Sequence, residues 1–173
     1  NPWQDMMAKH PNLREDMLEF RRMLEGQAAE WAAERATEAD RQRLEQSFAA
    51  LRAAFEADDA QARAEADMAF HQAVGDSAHN VLMGHLSAAL LDLMHDSMRL
   101  NLGELKGVPA ATRLLMNQHE AIFTAVRDNK PQAARAAAET HIDFVRETLA
   151  QTLRSVARRE TAERRLGTDF SNS

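Results

Sequence analysis

The sequence predicts an all-α fold, an antiparallel bundle of about six long helices. Three observations carry this. Ala supplies about a fifth of the 173 residues, whereas Val and Ile together number only eight and Tyr is absent, so strong helix formers abound where strand formers are scarce. The prolines lie at 2, 11, 109 and 131 and the glycines at 26, 75, 84, 103, 107 and 167, so the strongest breakers leave long uninterrupted stretches. The length suits a single domain with a sizeable core.

Each helix has its own signals. Residues 1–14 read as a polar lead-in with a turn at Lys9-His10-Pro11-Asn12. From Asp16 to about Arg35, Met17, Leu18, Leu24, Ala28, Trp31 and Ala32 share one helical face. Thr37, with Asp40 three residues on, suits a capping box for a second helix reaching about Ala57. Asp58-Asp59 opens a third, expected to end at Gly75-Asp76-Ser77. A fourth runs from Asn80 to Leu102, broken by Gly103 and Gly107-Val108-Pro109. A fifth, from about Ala110 to Arg127, and a sixth, from Pro131 to about Arg158, flank Asp128-Asn129-Lys130-Pro131. There Asn129 suits a helix C-terminus and Pro131 a first turn, so the two form an antiparallel hairpin. Residues 159–173 are polar and aperiodic and are expected to fray.

Composition excludes several chemistries. The absence of Cys removes disulfides, thiolate metal sites and cysteine nucleophiles, so any metal must be held by His and carboxylates. No apolar run approaches the length of a membrane span and no basic-plus-apolar leader is present, so no membrane partner and a cytoplasmic location are expected. A formal charge of −6 argues against a large nucleic-acid footprint on these residues. Phosphate-loop, dinucleotide, nucleophile-elbow and His-Glu-x-x-His motifs are missing, and no Glu stands three before any His as a di-iron bundle requires.

The informative residues are histidines. His119 and His141 are equidistant from residue 130, inside the predicted turn, so an antiparallel hairpin brings them to one height. Asp67 and His71 lie four apart, on one face of one helix. Together these make three imidazoles and a carboxylate, a set suited to zinc, or to nickel, iron or manganese, and not to calcium. Each part also has a plainer reading: Asp67 and His71 as a surface ion pair, His119 and His141 as hydrogen-bonded core residues. Arg21 falls inside the apolar stripe of the first helix, where a buried guanidinium needs a counter-ion, either a carboxylate ligand or Glu25 one turn on.

The segments MLEFRRMLEGQAAEWAAERAT (17–37), DMAFHQAVGDSAHNVLM (67–83), NQHEAIFTAV (117–126) and ARAAAETHIDFV (134–145) resemble the FCD domain, the effector-binding domain of FadR-type GntR transcription regulators, over residues 13–158. That resemblance implies a divalent metal on Asp67, His71, His119 and His141, and a small organic acid (hydroxy, keto or dicarboxylic) near it. The match to the family assigns Arg21 and Asn80 as ligand-binding candidates, Asn80 equally as a helix cap. It implies a homodimer that contacts operator DNA through a winged helix-turn-helix domain lying before residue 1, with residues 1–14 as linker and 159–173 as a flexible tail. It implies a sensor and not an enzyme; the alternative from the residues alone is a small metal-dependent hydrolase or oxygenase-like enzyme.

Overall fold

A computed structural model describes residues 12–57 and 59–171, with Asp5, Met6, Lys9 and His10 ahead of them, and side chains as far as Leu166. Asn1-Pro2-Trp3, Pro11 and Asp58 lie outside the described residues. Among the described residues six long helices follow one another: α1 (Leu13–Arg35), α2 (Glu38–Glu56), α3 (Ala60–Ser77), α4 (Val81–Leu105), α5 (Pro109–Arg127) and α6 (Pro131–Ser171). The all-α architecture expected from composition is the one observed.

The caps follow from local chemistry. Thr37 accepts from Asp40 N at 3.2 Å while the Asp40 carboxylate accepts from Thr37 N at 2.8 Å, so the capping box is complete. Asp59 caps α3, accepting from Gln61 N and Ala62 N, and Asn80 caps α4, accepting from Met83 N at 2.9 Å. At the α5–α6 turn Asn129 takes a left-handed conformation with φ of 53°. Lys130 N then reaches Ala125 O and Asn129 N reaches Val126 O, the paired closing bonds of a Schellman turn. Pro131 begins α6 where no amide proton is needed.

Two helices, α4 and α6, outrun their expected ends, and α3 runs to the last residue of its expected end segment. α3 passes through Gly75 to Ser77, because Gly75 is buried against α4, and a Cβ there would stand 3.3 Å from Ser87 Oγ; the missing side chain serves packing and not a break. α4 passes through Gly103 to Leu105, and the chain turns only at Lys106-Gly107. α6 continues to Ser171, thirteen residues beyond Arg158, where a frayed tail was expected. Residues 157–166 are exposed on every face, so no apolar stripe marked this stretch as helical; Arg159 ties its base to Glu104 on α4.

α1 packs antiparallel against the first part of α6, as the ion pairs Glu15 with Arg146, Arg22 with Asp143 and Glu30 with Arg135 show. Small residues permit their close approach: Ala28, Ala29, Ala32 and Ala33 are buried on α1, and a Cβ on Gly26 would lie 3.1 Å from Glu139 Cγ. The core divides into two clusters. One joins α2, α3 and α5 around Leu51, Phe48, Phe70 and Phe123; the other joins α1 and α4 around Leu18, Leu24, Leu91 and Met94. Val145 of α6 packs against both.

The α2 cap also joins distant parts of the chain, since His79 Nε2 lies 2.5 Å from Asp40 Oδ2. Burial disfavours ionisation of Asp40, but His79 and the Thr37 hydrogen bonds outweigh it and hold the carboxyl down at about 2. A group depressed in the folded state adds stability above its unfolded pKa and loses it as pH falls toward the folded one. Asp40→Ala is therefore expected to destabilise the domain by about 1–2 kcal/mol at neutral pH. Urea-unfolding midpoints of wild type and variant should converge as the pH drops from about 4 toward 2.

Candidate metal centre

Four helices deliver charged and polar side chains to one interior point. Asp67 and His71 come from α3, His119 from α5, His141 from α6, and Arg21 and Glu25 from α1; all are buried, with His119 at 0% exposure and His141 and Arg21 at 1%. The hairpin places the His119 and His141 ring centroids 4.4 Å apart, as their equal distance from residue 130 predicted. A ring nitrogen of each of His71, His119 and His141 lies within 4.8 Å of the others. Ligands on about 2.0 Å bonds to one tetrahedral ion stand about 3.3 Å apart, so small adjustments suffice for a common atom. Asp67 joins them, with Oδ1 2.8 Å from His119 Nε2 and Oδ2 3.9 Å from His71 Nε2.

The Nδ1 atom of each ring faces an oxygen that can accept its proton. His71 Nδ1 lies 2.6 Å from the Glu25 carboxylate, which can only accept. His119 Nδ1 lies 2.8 Å from the Leu115 carbonyl, another pure acceptor, and His141 Nδ1 lies 3.0 Å from Gln118 Oε1. A ring with its proton on Nδ1 turns its Nε2 lone pair inward. His71 Nε2 and His141 Nε2 then face each other at 3.2 Å, and the buried His119 Nε2, with no hydrogen-bond partner, faces Asp67. Lone pairs directed at lone pairs and at a carboxylate form an arrangement that a cation resolves.

Burial opposes ionisation of Asp67, but positive charge on the imidazoles of His119 and His71 and on Arg21 holds its carboxyl down at about 2, a role that a bound cation would take over. Burial likewise opposes the charge on Glu25, and Arg21 followed by His71 overcomes it, leaving Glu25 well below the usual carboxylate range. His141 is pushed well below its ordinary value, first by burial and then by His119 and His71, which keeps it neutral and able to ligate. Phe70 stands edge-on to both His71 and His119, at 5.7 and 5.4 Å, and Phe55 meets His119 edge-on at 6.2 Å, so aromatic walls fix the ring planes.

Arg21 is paired with Glu25 through Nε, yet its Nη1 and Nη2 have no hydrogen-bond partner. Arg21 also lines a small cavity of about 20 Å³ with Asp67, His141, Asn101 and the apolar Met98, Leu102, Leu115 and Val145. Asn80 is placed elsewhere. It caps α4 and lines a different, open groove with Gln72, His79 and His85.

Two supporting residues escape sequence reasoning. Glu25 is legible as a partner one turn from Arg21, but its bond to His71 depends on how α1 crosses α3. Gln118 adjoins His119 in sequence, yet it serves His141 on the facing helix, and only the hairpin register carries that signal.

The fold and this interior cluster define a class of ligand-sensing helical domain. A model of the FCD domain matches residues 16–144, and the chain belongs to the FCD-domain family, the effector-binding domains of GntR-type transcription regulators. It is similar to the HTH-type transcriptional regulator LutR of Bacillus subtilis (strain 168), 34% identical over 137 residues, 77% of this chain and 60% of that protein. It is also similar to the galactonate operon transcriptional repressor of Escherichia coli (strain K12), 35% identical over 133 residues, 76% of this chain and 56% of that one. Among solved structures it resembles Streptococcus agalactiae GntR, with a TM-score of 0.65 and 28% identity, covering 80% of this chain and 60% of that one. The chain thus spans little more than half the length of these relatives, which are named as regulators and not as enzymes. Among the described residues no helix is long and apolar enough to cross a membrane.

Removing Glu25 alone leaves Arg21 buried without its counter-charge and His71 without its acceptor. Glu25→Ala is expected to cost about 3–5 kcal/mol, and Arg21→Met combined with Glu25→Met distinctly less, because the double change removes both buried charges. Chemical denaturation of the three proteins measures the difference.

Proposed function

We propose that this domain binds a divalent transition metal, zinc first, through Asp67, His71, His119 and His141, and senses a small organic acid beside it. The carrying observation is the convergence of the His71, His119 and His141 rings, with Asp67 beside two of them and an acceptor behind each ring at Nδ1. Three imidazoles and one carboxylate suit zinc, with nickel, iron or manganese as alternatives. Such a metal supplies a Lewis-acid position for an oxygen of the acid. Arg21 supplies the second anchor, since its two unpartnered guanidinium nitrogens match a carboxylate in the bidentate manner.

Charge explains why metal and acid belong together. With neutral imidazoles, Asp67 and Glu25 outnumber Arg21, so the metal-free interior is negative and repels an acid; a divalent ion reverses the sign. The relatives named as transcription regulators support a role in controlling operator binding; in this reading the domain acts as a homodimer and through a DNA-binding domain attached ahead of these residues. The acid shifts DNA binding only by its different affinity for two arrangements of the helices that share its site.

Purified protein is expected to carry near-stoichiometric divalent metal by elemental analysis, falling strongly in His119→Ala and in His141→Ala. Undiminished metal in both variants would overturn the site. Chelation is expected to abolish the thermal stabilisation given by small hydroxy acids, measured as the concentration dependence of Tm.

A further inference from the structure

The cavity beside the metal site holds one polar side chain that the proposed metal and acid anchors do not use. Asn101, 4% exposed on α4, lines it together with Arg21 and His141. Its amide is held in a clasp on α6: Nδ2 donates to Thr148 Oγ1 at 3.0 Å, and Oδ1 accepts from Thr152 Oγ1 at 2.8 Å. Thr148 passes its own proton to the Val145 carbonyl at 3.2 Å, which fixes the amide's orientation. A primary amide has two N–H donors and an oxygen with two lone pairs. The clasp takes one of each, so one donor and one lone pair remain for a ligand.

The rest of the wall determines what can lie there. Met98, Leu102, Leu115 and Val145 are apolar, and the cavity has room for little more than one water before the flexible Met98 moves. A divalent ion and Arg21 set against Asp67 and Glu25 leave a single positive charge. A monoanion cancels that charge, whereas a dianion overshoots it and buries an unpaired carboxylate against apolar carbons.

Resting on the reading of this site as an acid sensor, we propose that Asn101 is its specificity-determining residue. It selects a short monocarboxylate carrying one hydroxyl or keto oxygen near the carboxylate, over plain acids and over dicarboxylates. The acid's carboxylate lies on Arg21 and its substituent oxygen meets the Asn101 amide, while the apolar side chains of the wall, Met98 first, move aside to admit its few carbons.

Three four-carbon probes separate the possibilities on the metal-loaded 173-residue chain: 2-hydroxybutanoate, butanoate and malate, titrated by calorimetry. The expected result is 2-hydroxybutanoate binding at least about tenfold more tightly than either of the others, because the unmatched amide or the surplus carboxylate penalises each competitor. Asn101→Ser is expected to bring 2-hydroxybutanoate and butanoate within about threefold of each other, without removing the preference over malate. Thr152→Val breaks the same clasp from outside the cavity. It should lower Tm while leaving the selectivity in place, which a purely structural role for Asn101 would not allow. Malate binding as tightly as 2-hydroxybutanoate in wild type overturns the proposal, and so does an unchanged preference over butanoate in Asn101→Ser. If none of the three binds protein shown to contain metal, the sensing role itself fails, and the selectivity with it.

Discussion

The structure depends on one constraint, the burial of charge at the meeting point of four helices. Arg21, Glu25 and Asp67 are ionised groups withdrawn from water, and each survives there only through its neighbours. Glu25 answers both Arg21 and His71 and so ties α1 to α3. Asp67 answers His71 and His119 and so ties α3 to α5, while His141 brings in α6. The hydrophobic clusters on either side supply bulk stabilisation, but apolar packing alone tolerates sliding. Directional polar contacts fix the register of these helices.

Much of the site was readable before any coordinates. The hairpin is the clearest case, because Asn129 and Pro131 locate the turn and equal chain distance then brings His119 to the height of His141. The four-residue spacing of Asp67 and His71 placed them on one face, and the stripe position of Arg21 placed its charge inside. These features are local or follow from one short turn.

What the sequence concealed is what depends on how helices cross. No spacing rule links Glu25 to His71, or Asn101 to Thr148 and Thr152, because those pairs lie 46 to 51 positions apart on helices without a tight connection. Gly75 misleads in another way: as a helix breaker it suggested an end, whereas the close approach of Ser87 gives it a packing role within α3. The end of α6 was missed because a solvated helix of alternating arginine and glutamate has no apolar period to read.

That long last helix gives the molecule a mechanical property. His141 sits in its buried first half, and thirty residues separate it from the last helical position, Ser171. At 1.5 Å per residue the intervening rod is about 45 Å long. A tilt of the whole helix by about 5° about the imidazole would sweep the far end through about 4 Å, carrying with it the part of α4 tied to Thr148, Thr152 and Arg159. α1 begins beside Arg146, so this end of α6 points along the side from which the chain enters the domain. A sub-ångström event in the interior would thereby be enlarged, by leverage alone, to a displacement of several ångströms at the helix end.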